Sequence, residues 1–225
     1  WSKDSKTHVA YMPSGDYYGS EIATTVPAAT NARIELVAKD GTVTVLKART
    51  ALEAGEIIDA SAMSAKALRT FFAGQIEDAK KQGVLFSLHV KATMMKIADP
   101  IVFGHVVSVF FADVVEKHAA TLQRLGVNLN NGFGDLLAKI EALPAAEKNA
   151  IQDDIAATYA KRPALAMVNS DKGITGLHVP SDFIIDASIP AMIRESGRMW
   201  GPDGKLHDTK AVVPDRAYAR LFQTV

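Results

Sequence analysis

The sequence contains no cysteine. That excludes disulfides, thiolate metal sites and cysteine nucleophiles, and it is compatible with a cytoplasmic bacterial protein. There is no surplus of charge of either sign: 25 Lys and Arg balance 25 Asp and Glu. A generally basic surface for nucleic acid is thereby disfavoured, although a local patch is still allowed. Long apolar runs are also missing. The longest, Ile101 to Val115, is interrupted by His105, Ser108 and Asp113, so it does not read as a membrane span, which needs about 20 residues. Residues 1–16 are polar and lack the apolar stretch of a signal peptide. No cofactor fingerprint is present. Gly132-Phe-Gly134 follows no strand, and Gly201-Pro-Asp-Gly-Lys205 lacks the spacing of a phosphate-binding loop. GxSxG, HExxH and EF-hand patterns are absent. An ordinary single-chain Rossmann NAD site is therefore not encoded, and no cofactor-binding residue is assigned.

What is present suits a globular chain. The 225 residues are 48% hydrophobic and 22% charged, enough for one large domain or two small ones with a sizeable core. Residues 1–63 read as β-rich. His8 to Tyr11 reads as a short strand. NARIELVA (31–38) alternates with period two and TVTVLK (42–47) is β-rich, with Asp40-Gly41 between them. Such a pair signals a hairpin, because the tight turn needs positive φ. Glu56 to Ala60 reads as a third strand.

Residues 64–225 read as α/β. Ser64 caps a helix whose Leu68, Phe71, Phe72, Ile76 and Ala79 recur at helical spacing, and Gly83 ends it. Val84 to Val90 then forms a nearly continuous apolar run, as expected of a strand covered on both faces. After Pro100 one long helix, or two joined near Asp113, runs to Gly126. Asn128 to Gly134 is a turn cluster, and helices follow at about 135–143 and 144–161. Leu165 to Val168 and Phe183 to Ile185 read as short strands. Asp186 stands at the end of the second, and Ser188 caps a helix from Ile189 to about Glu195. Residues 199–205 are a turn, and the rest is polar chain with a helix near 215–222. The expected fold is α/β, a mixed sheet flanked by helices with an N-terminal β-hairpin region.

Three constellations carry candidate chemistry. Lys91, with Thr93 and Lys96, follows a strand end, where open α/β folds collect their sites; it reads either as solvated surface or as a cationic site. Asp182 and Asp186 flank an apolar triplet and would share one strand face, and Asp186 stands where a carboxylate serves either as a divalent-metal ligand or as a helix cap. Asp171, Lys172 and His178 lie in a loop that reads as functional or merely solvated. His89, His105 and His118 form no metal pattern, and the Met94-Met95 pair reads as core packing.

At these residues the sequence becomes recognisable. GVLFSLHVKATMMKIADPIVFGH, NSDKGITGLHVPSDFIIDASIPAMIRESGRMWGPDGK and DTKAVVPDRAYA, with the opening THVAYMPSGDYYGSE and VTVLKA, closely resemble the monomeric type of NADP-dependent isocitrate dehydrogenase. The resemblance covers essentially the whole chain. Family enzymes are much longer, and this chain starts at Trp1 and stops at Val225. It is therefore expected to be an internal piece, the first part of the large domain of a two-domain enzyme. The resemblance implies oxidative decarboxylation of isocitrate to 2-oxoglutarate and carbon dioxide, with NADP reduced and Mg or Mn required. It implies that Lys91 is the catalytic lysine and Asp186 one of three metal-binding aspartates. The remaining ligands, the substrate-binding arginines and the NADP contacts match nothing in these residues. The whole enzyme is expected to be monomeric, and the piece alone is expected to be inactive and able to self-associate.

Overall fold

The computed structural model describes residues 1–92 and 95–223, and side chains as far as Arg220. In chain order the elements are β1 (His8–Ala10), α1 (Tyr17–Ser20), β2 (Ile22–Thr25), β3 (Thr30–Val37), β4 (Val43–Leu52), β5 (Ile57–Ala60), α2 (Ala65–Gln82), β6 (Leu85–Leu88), α3 (Ala98–Phe110), α4 (Ala112–Lys117), α5 (Ala119–Arg124), a 3₁₀ turn (Leu129–Asn131), α6 (Phe133–Ile140), α7 (Ala145–Lys161), β7 (Met167–Asn169), β8 (Ile174–Thr175), α8 (Ile185–Arg194), β9 (Arg198–Trp200), β10 (Leu206–Val212) and α9 (Arg216–Gln223).

The fold is α/β. Strands β1, β10 and β6 lie side by side in parallel, and β9 runs antiparallel to β10. The sheet is therefore mixed, as expected. Its central strand, however, is β10, in a region where the sequence pattern predicts polar chain. The reason is chemical. Lys210 sits in mid-strand and is almost fully buried, with its ammonium satisfied by Asp78 and by Gln75 Oε1 at 2.8 Å, both on α2. A buried lysine is tolerated only when so paired, and a lone Lys between Thr209 and Ala211 does not advertise its partner more than a hundred residues away.

The sheet has a helical layer on each face. Phe86, Leu88 and Val212 pack with α2 and α3 in the larger core, whereas Ala211 and Val213 pack with Ile185, Ile189 and Met192 of α8 and Ala219 of α9. Alternate strand residues thus serve opposite layers, as the pleat dictates. Helix α2 is as read: Ser64 Oγ accepts the Ala67 N–H at 3.2 Å, and Gly83 closes the helix in the left-handed conformation. The helical stretch after Pro100 is broken at Phe111 and again at His118, giving α3, α4 and α5 where one or two helices were expected. The first break carries an aromatic cluster: Phe111 stacks on Phe133 with centroids 3.9 Å apart, and Tyr159 meets Phe111 edge-on.

The N-terminal hairpin is present, with β3 paired to β4 across Gly41 at φ +82°. Strand β2, unforeseen, pairs with β5. Two predicted strands differ. Leu165 makes only an isolated bridge to Phe86, with strand β7 starting at Met167. Phe183 to Ile185 is not a strand: Ile184 makes one bridge to Val90, and α8 begins at Ile185.

Gly132-Phe-Gly134 is structural. The Phe133 and Gly134 N–H groups donate to the Leu177 and His178 carbonyls at 2.9 and 2.8 Å. Gly132 has φ +96°, and a Cβ there would lie 2.1 Å from the His178 carbonyl oxygen. We expect Gly132→Ala to cost about 3 kcal/mol in urea denaturation, combining overpacking against backbone with left-handed strain. Gly41→Ala, with open space around it, should cost only about 1–2 kcal/mol of strain.

Candidate functional site

Three parallel strands end on the same edge, at Ala10, Val212 and Leu88. The loops that leave them border a cavity of about 370 Å³, whose lining includes Tyr17, Lys91, Asp99, Asp215 and Tyr218. This is the edge on which parallel α/β sheets carry their ligands. It forms because β10 inserts between β1 and β6, bringing the loop after Val212 beside the loop after Leu88.

Lys91 is central to it. Its Nζ lies 2.8 and 3.0 Å from the two carboxylate oxygens of Asp186 and 5.8 Å from the centroid of the Tyr218 ring. Its backbone N–H donates to Asp99 Oδ2 at 2.5 Å. The Asp186 hydrogen bond raises the Lys91 pKa above the ordinary lysine value, against the opposing effect of burial. Lys91 is therefore an ammonium at neutral pH, suited to neutralise or protonate a developing anion and unsuited to act as a base.

The surrounding acids behave differently. Burial raises Asp99 and Asp215; the charge of Asp215 adds to the effect on Asp99, and Asp16 adds to the effect on Asp215. Burial also raises the phenols of Tyr17 and Tyr218, with Asp99 and Asp215 adding to the effect. Opposite charge thus meets at Lys91–Asp186, while the carboxylates behind it are crowded.

Of the sequence candidates, Lys91 and Asp186 come together from 95 residues apart. Asp186 does not stand at a strand end; it lies in the first turn of α8, where a carboxylate also suits the helix dipole. Ser188 is not the helix cap either, because the helix starts before it. Asp182 does not join Asp186: its Oδ2 accepts the Val179 N–H at 2.8 Å and closes a turn. Lys96 is exposed, and Thr93 lies outside the described residues. Asp171 and Lys172 are exposed in the turn between β7 and β8, and the His178 backbone packs against Gly132. Met95 is exposed rather than core, and Met94 lies outside the described residues. His118 is structural, 2.6 Å from Asp154 Oδ2.

The sequence reading missed Asp99, Asp215, Tyr218, His89 and Ser188 as site neighbours. An acid in a helix's first turn looks like an ordinary dipole complement, so Asp99 gave no separate signal. Tyr218 and Asp215 follow a strand that was itself missed.

A divalent cation of the Mg or Mn type takes about six oxygen ligands. Among the described residues no group of three or more His, Asp or Glu is placed to hold one. Asp186 is half exposed on its side chain and fits as one ligand, in a set that other groups must complete.

Comparison with known proteins gives a consistent result. The family model for monomeric isocitrate dehydrogenase matches residues 1–225. A relative from Azotobacter vinelandii called isocitrate dehydrogenase (NADP) is 64% identical over 225 residues, covering 100% of this chain and 30% of the relative. One from Colwellia maris, called isocitrate dehydrogenase (NADP) 2, is 60% identical over the same coverage. One of that name from Mycobacterium tuberculosis is 51% identical, again over 100% of this chain and 30% of the relative. The chain spans 30% of the length of these curated relatives.

A further ion pair, Asp16–Arg216, lies next in sequence to the cavity-lining residues Tyr17 and Asp215. Asp16 is fully buried and accepts from Arg216 Nε at 2.8 Å, Arg216 Nη2 at 2.7 Å and the Arg216 N–H at 2.9 Å. Burial pushes the Asp16 carboxyl up, but these hydrogen bonds more than offset it and hold the pKa at about 2. The pair's stabilisation is complete above the unfolded carboxylate value of about 4 and is lost as the pH falls toward 2. Asp16→Asn should flatten the denaturation midpoint over that window. By contrast, Asp186→Asn should leave the midpoint at neutral pH unchanged, because a half-exposed pair contributes little to stability. A clear drop would mark the pair as structural.

Proposed function

Because the chain belongs to the monomeric isocitrate dehydrogenase family, we propose that it contributes to the oxidative decarboxylation of isocitrate to 2-oxoglutarate with reduction of NADP. On this reading it is part of the large α/β domain of a longer polypeptide, which is monomeric when whole. The observation that carries the reading is the meeting of Lys91 Nζ with the Asp186 carboxylate at 2.8 Å, at the carboxyl edge of the parallel strands. These are the two residues to which the family resemblance gives roles.

Lys91 acts as the catalytic lysine. Held as an ammonium by Asp186, it places positive charge where the substrate's C2 oxygen gains negative charge, and it assists proton transfer there. Asp186 would supply one carboxylate to the divalent cation. When bound, Mg or Mn would polarise the 2-hydroxyl and a neighbouring carboxylate of isocitrate. NADP, the substrate arginines and the other metal ligands are supplied by residues outside this chain, so the 225 residues alone have no turnover.

The experiment compares the purified 225-residue chain with the longer protein that carries it, reading NADPH formation with isocitrate and Mg or Mn. The longer protein turns over and the short chain does not. Lys91→Ala in the longer protein lowers kcat by at least about a hundredfold. Measurable NADPH from the 225-residue chain would contradict the division of the site, and wild-type kcat in Lys91→Ala would contradict the role of the lysine.

One observation favours a second, non-catalytic reading for the isolated chain, as an interaction module that pairs with another copy. The β3–β4 ribbon exposes Ile34, Leu36, Val37, Val43, Val45 and Leu46, and a two-stranded ribbon with open edges is a template for further pairing. Sedimentation should then show a concentration-dependent dimer that Leu46→Lys dissociates. A monomer at all concentrations would rule this reading out.

A further inference from the structure

Strand β6 and the segment that continues it carry Ser87, His89 and Lys91 at alternate positions, and all three make polar side-chain contacts. Ser87 and His89 are buried, His89 completely. The imidazole stacks on Phe183 with centroids 5.6 Å apart and planes 19° from parallel. Its Nε2 lies 2.8 Å from Ser87 Oγ and its Nδ1 lies 2.7 Å from Ser188 Oγ. The proton count fixes the tautomer. Ser188 has one hydroxyl proton, and it goes to the Ile184 carbonyl at 2.9 Å. Ser188 Oγ must therefore accept from Nδ1–H, and Nε2 must accept from the Ser87 hydroxyl. Every buried side-chain polar atom in this network is satisfied.

Ser188 lies two residues after Asp186, and both belong to the first turns of α8. His89 lies two residues before Lys91. The contacts His89–Ser188 and Lys91–Asp186 thus form two rungs, a lower and an upper, between the segment that follows β6 and the first turns of α8. The backbone joins them: the Ile185 N–H donates to the Val90 carbonyl at 2.9 Å. The lower rung is buried and has a single fully satisfied arrangement. The upper rung is partly exposed. A buried network with one satisfied geometry is what fixes such a position.

We propose that His89 is a positioning residue for the Lys91–Asp186 pair and acts through Ser188. It sets the distance and rotation of α8 against the strand, so that Asp186 faces Lys91 rather than solvent. An apolar residue of similar size would fill the space but would leave both serine hydroxyls without this link, and helix and strand could then slide past each other. The imidazole stays neutral at physiological pH, since burial lowers its pKa to about 3. It therefore works as a strut. This inference rests on the catalytic reading of Lys91 given above.

The test uses the longer protein that carries this chain, with Ser188→Ala, Ser87→Ala, Ser188→Thr and Lys91→Ala. Ser188→Ala and Ser87→Ala each remove one hydrogen bond from His89, so both lower the melting temperature. Only Ser188→Ala breaks the link to α8. It should lower kcat at least about tenfold, as a small misplacement of reacting groups does, with KM for isocitrate changing less. Ser87→Ala should keep wild-type kcat, and Ser188→Thr, which retains the hydroxyl, should restore kcat. Ser188→Cys, close in size but a weak acceptor, should behave like Ser188→Ala and replaces it where that variant does not fold. Equal kcat values for Ser188→Ala and Ser87→Ala, with Lys91→Ala inactive, would overturn the positioning role alone. Full turnover in Lys91→Ala would overturn both it and the catalytic reading on which it rests.

Discussion

The parallel pairing of β10 with β6 is the constraint on which the rest depends. It joins residues more than a hundred positions apart, Thr209 beside Leu85 and Val212 beside Leu88. It orients three strands so that their carboxyl ends share one edge. It also leaves each sheet face to a separate helical layer, with α2 and α3 on one side and α8 and α9 on the other. Parallel strands are buried on both faces, and the second half of β10 is fully buried, so a polar side chain there needs an internal partner. Lys210 finds Asp78 and Gln75. Without those partners the strand would carry an uncompensated charge in the sheet interior, and the edge that assembles Lys91, Asp99 and Asp215 would not form.

From that edge the site follows with little further specification. The odd-numbered residues of the stretch leading to Lys91 face the α8 side. Leu85 packs with Ala166 and Phe183, His89 reaches Ser188, and Lys91 reaches Asp186. The even residues Phe86 and Leu88 face the larger core. Period-two alternation along this stretch therefore sets His89 and Lys91 opposite Phe86 and Leu88. The same segment anchors the core on one face and presents its ammonium on the other.

Much of this was legible from local pattern. The α2 helix, with its serine cap and closing glycine, the buried run after Gly83 and the Asp40-Gly41 hairpin depend on short-range signals, and they appear as read. Lys91 was legible as a strand-end residue, and the family resemblance assigned its role together with that of Asp186. What was illegible depends on partners distant in sequence. β10 looked polar because nothing near Lys210 reveals Asp78. The start of α8 was misplaced because Ser188 resembles an N-cap, whereas its hydroxyl is committed to His89 and to the Ile184 carbonyl. Asp182 and Asp186 looked paired by spacing, but a turn at Val179 takes the first of them.

On the proposed function, Lys91 and Asp186 act as one unit within an active site completed by other parts of a longer polypeptide. The most direct measurement is a double-mutant cycle on kcat/KM in the longer protein that carries this chain, using Lys91→Ala, Asp186→Asn and the double variant. Residues that act as a unit are strongly non-additive. The account predicts that the double variant loses little more activity than the worse of the two single variants. Losses that simply multiply would show that the two residues work independently and would contradict it.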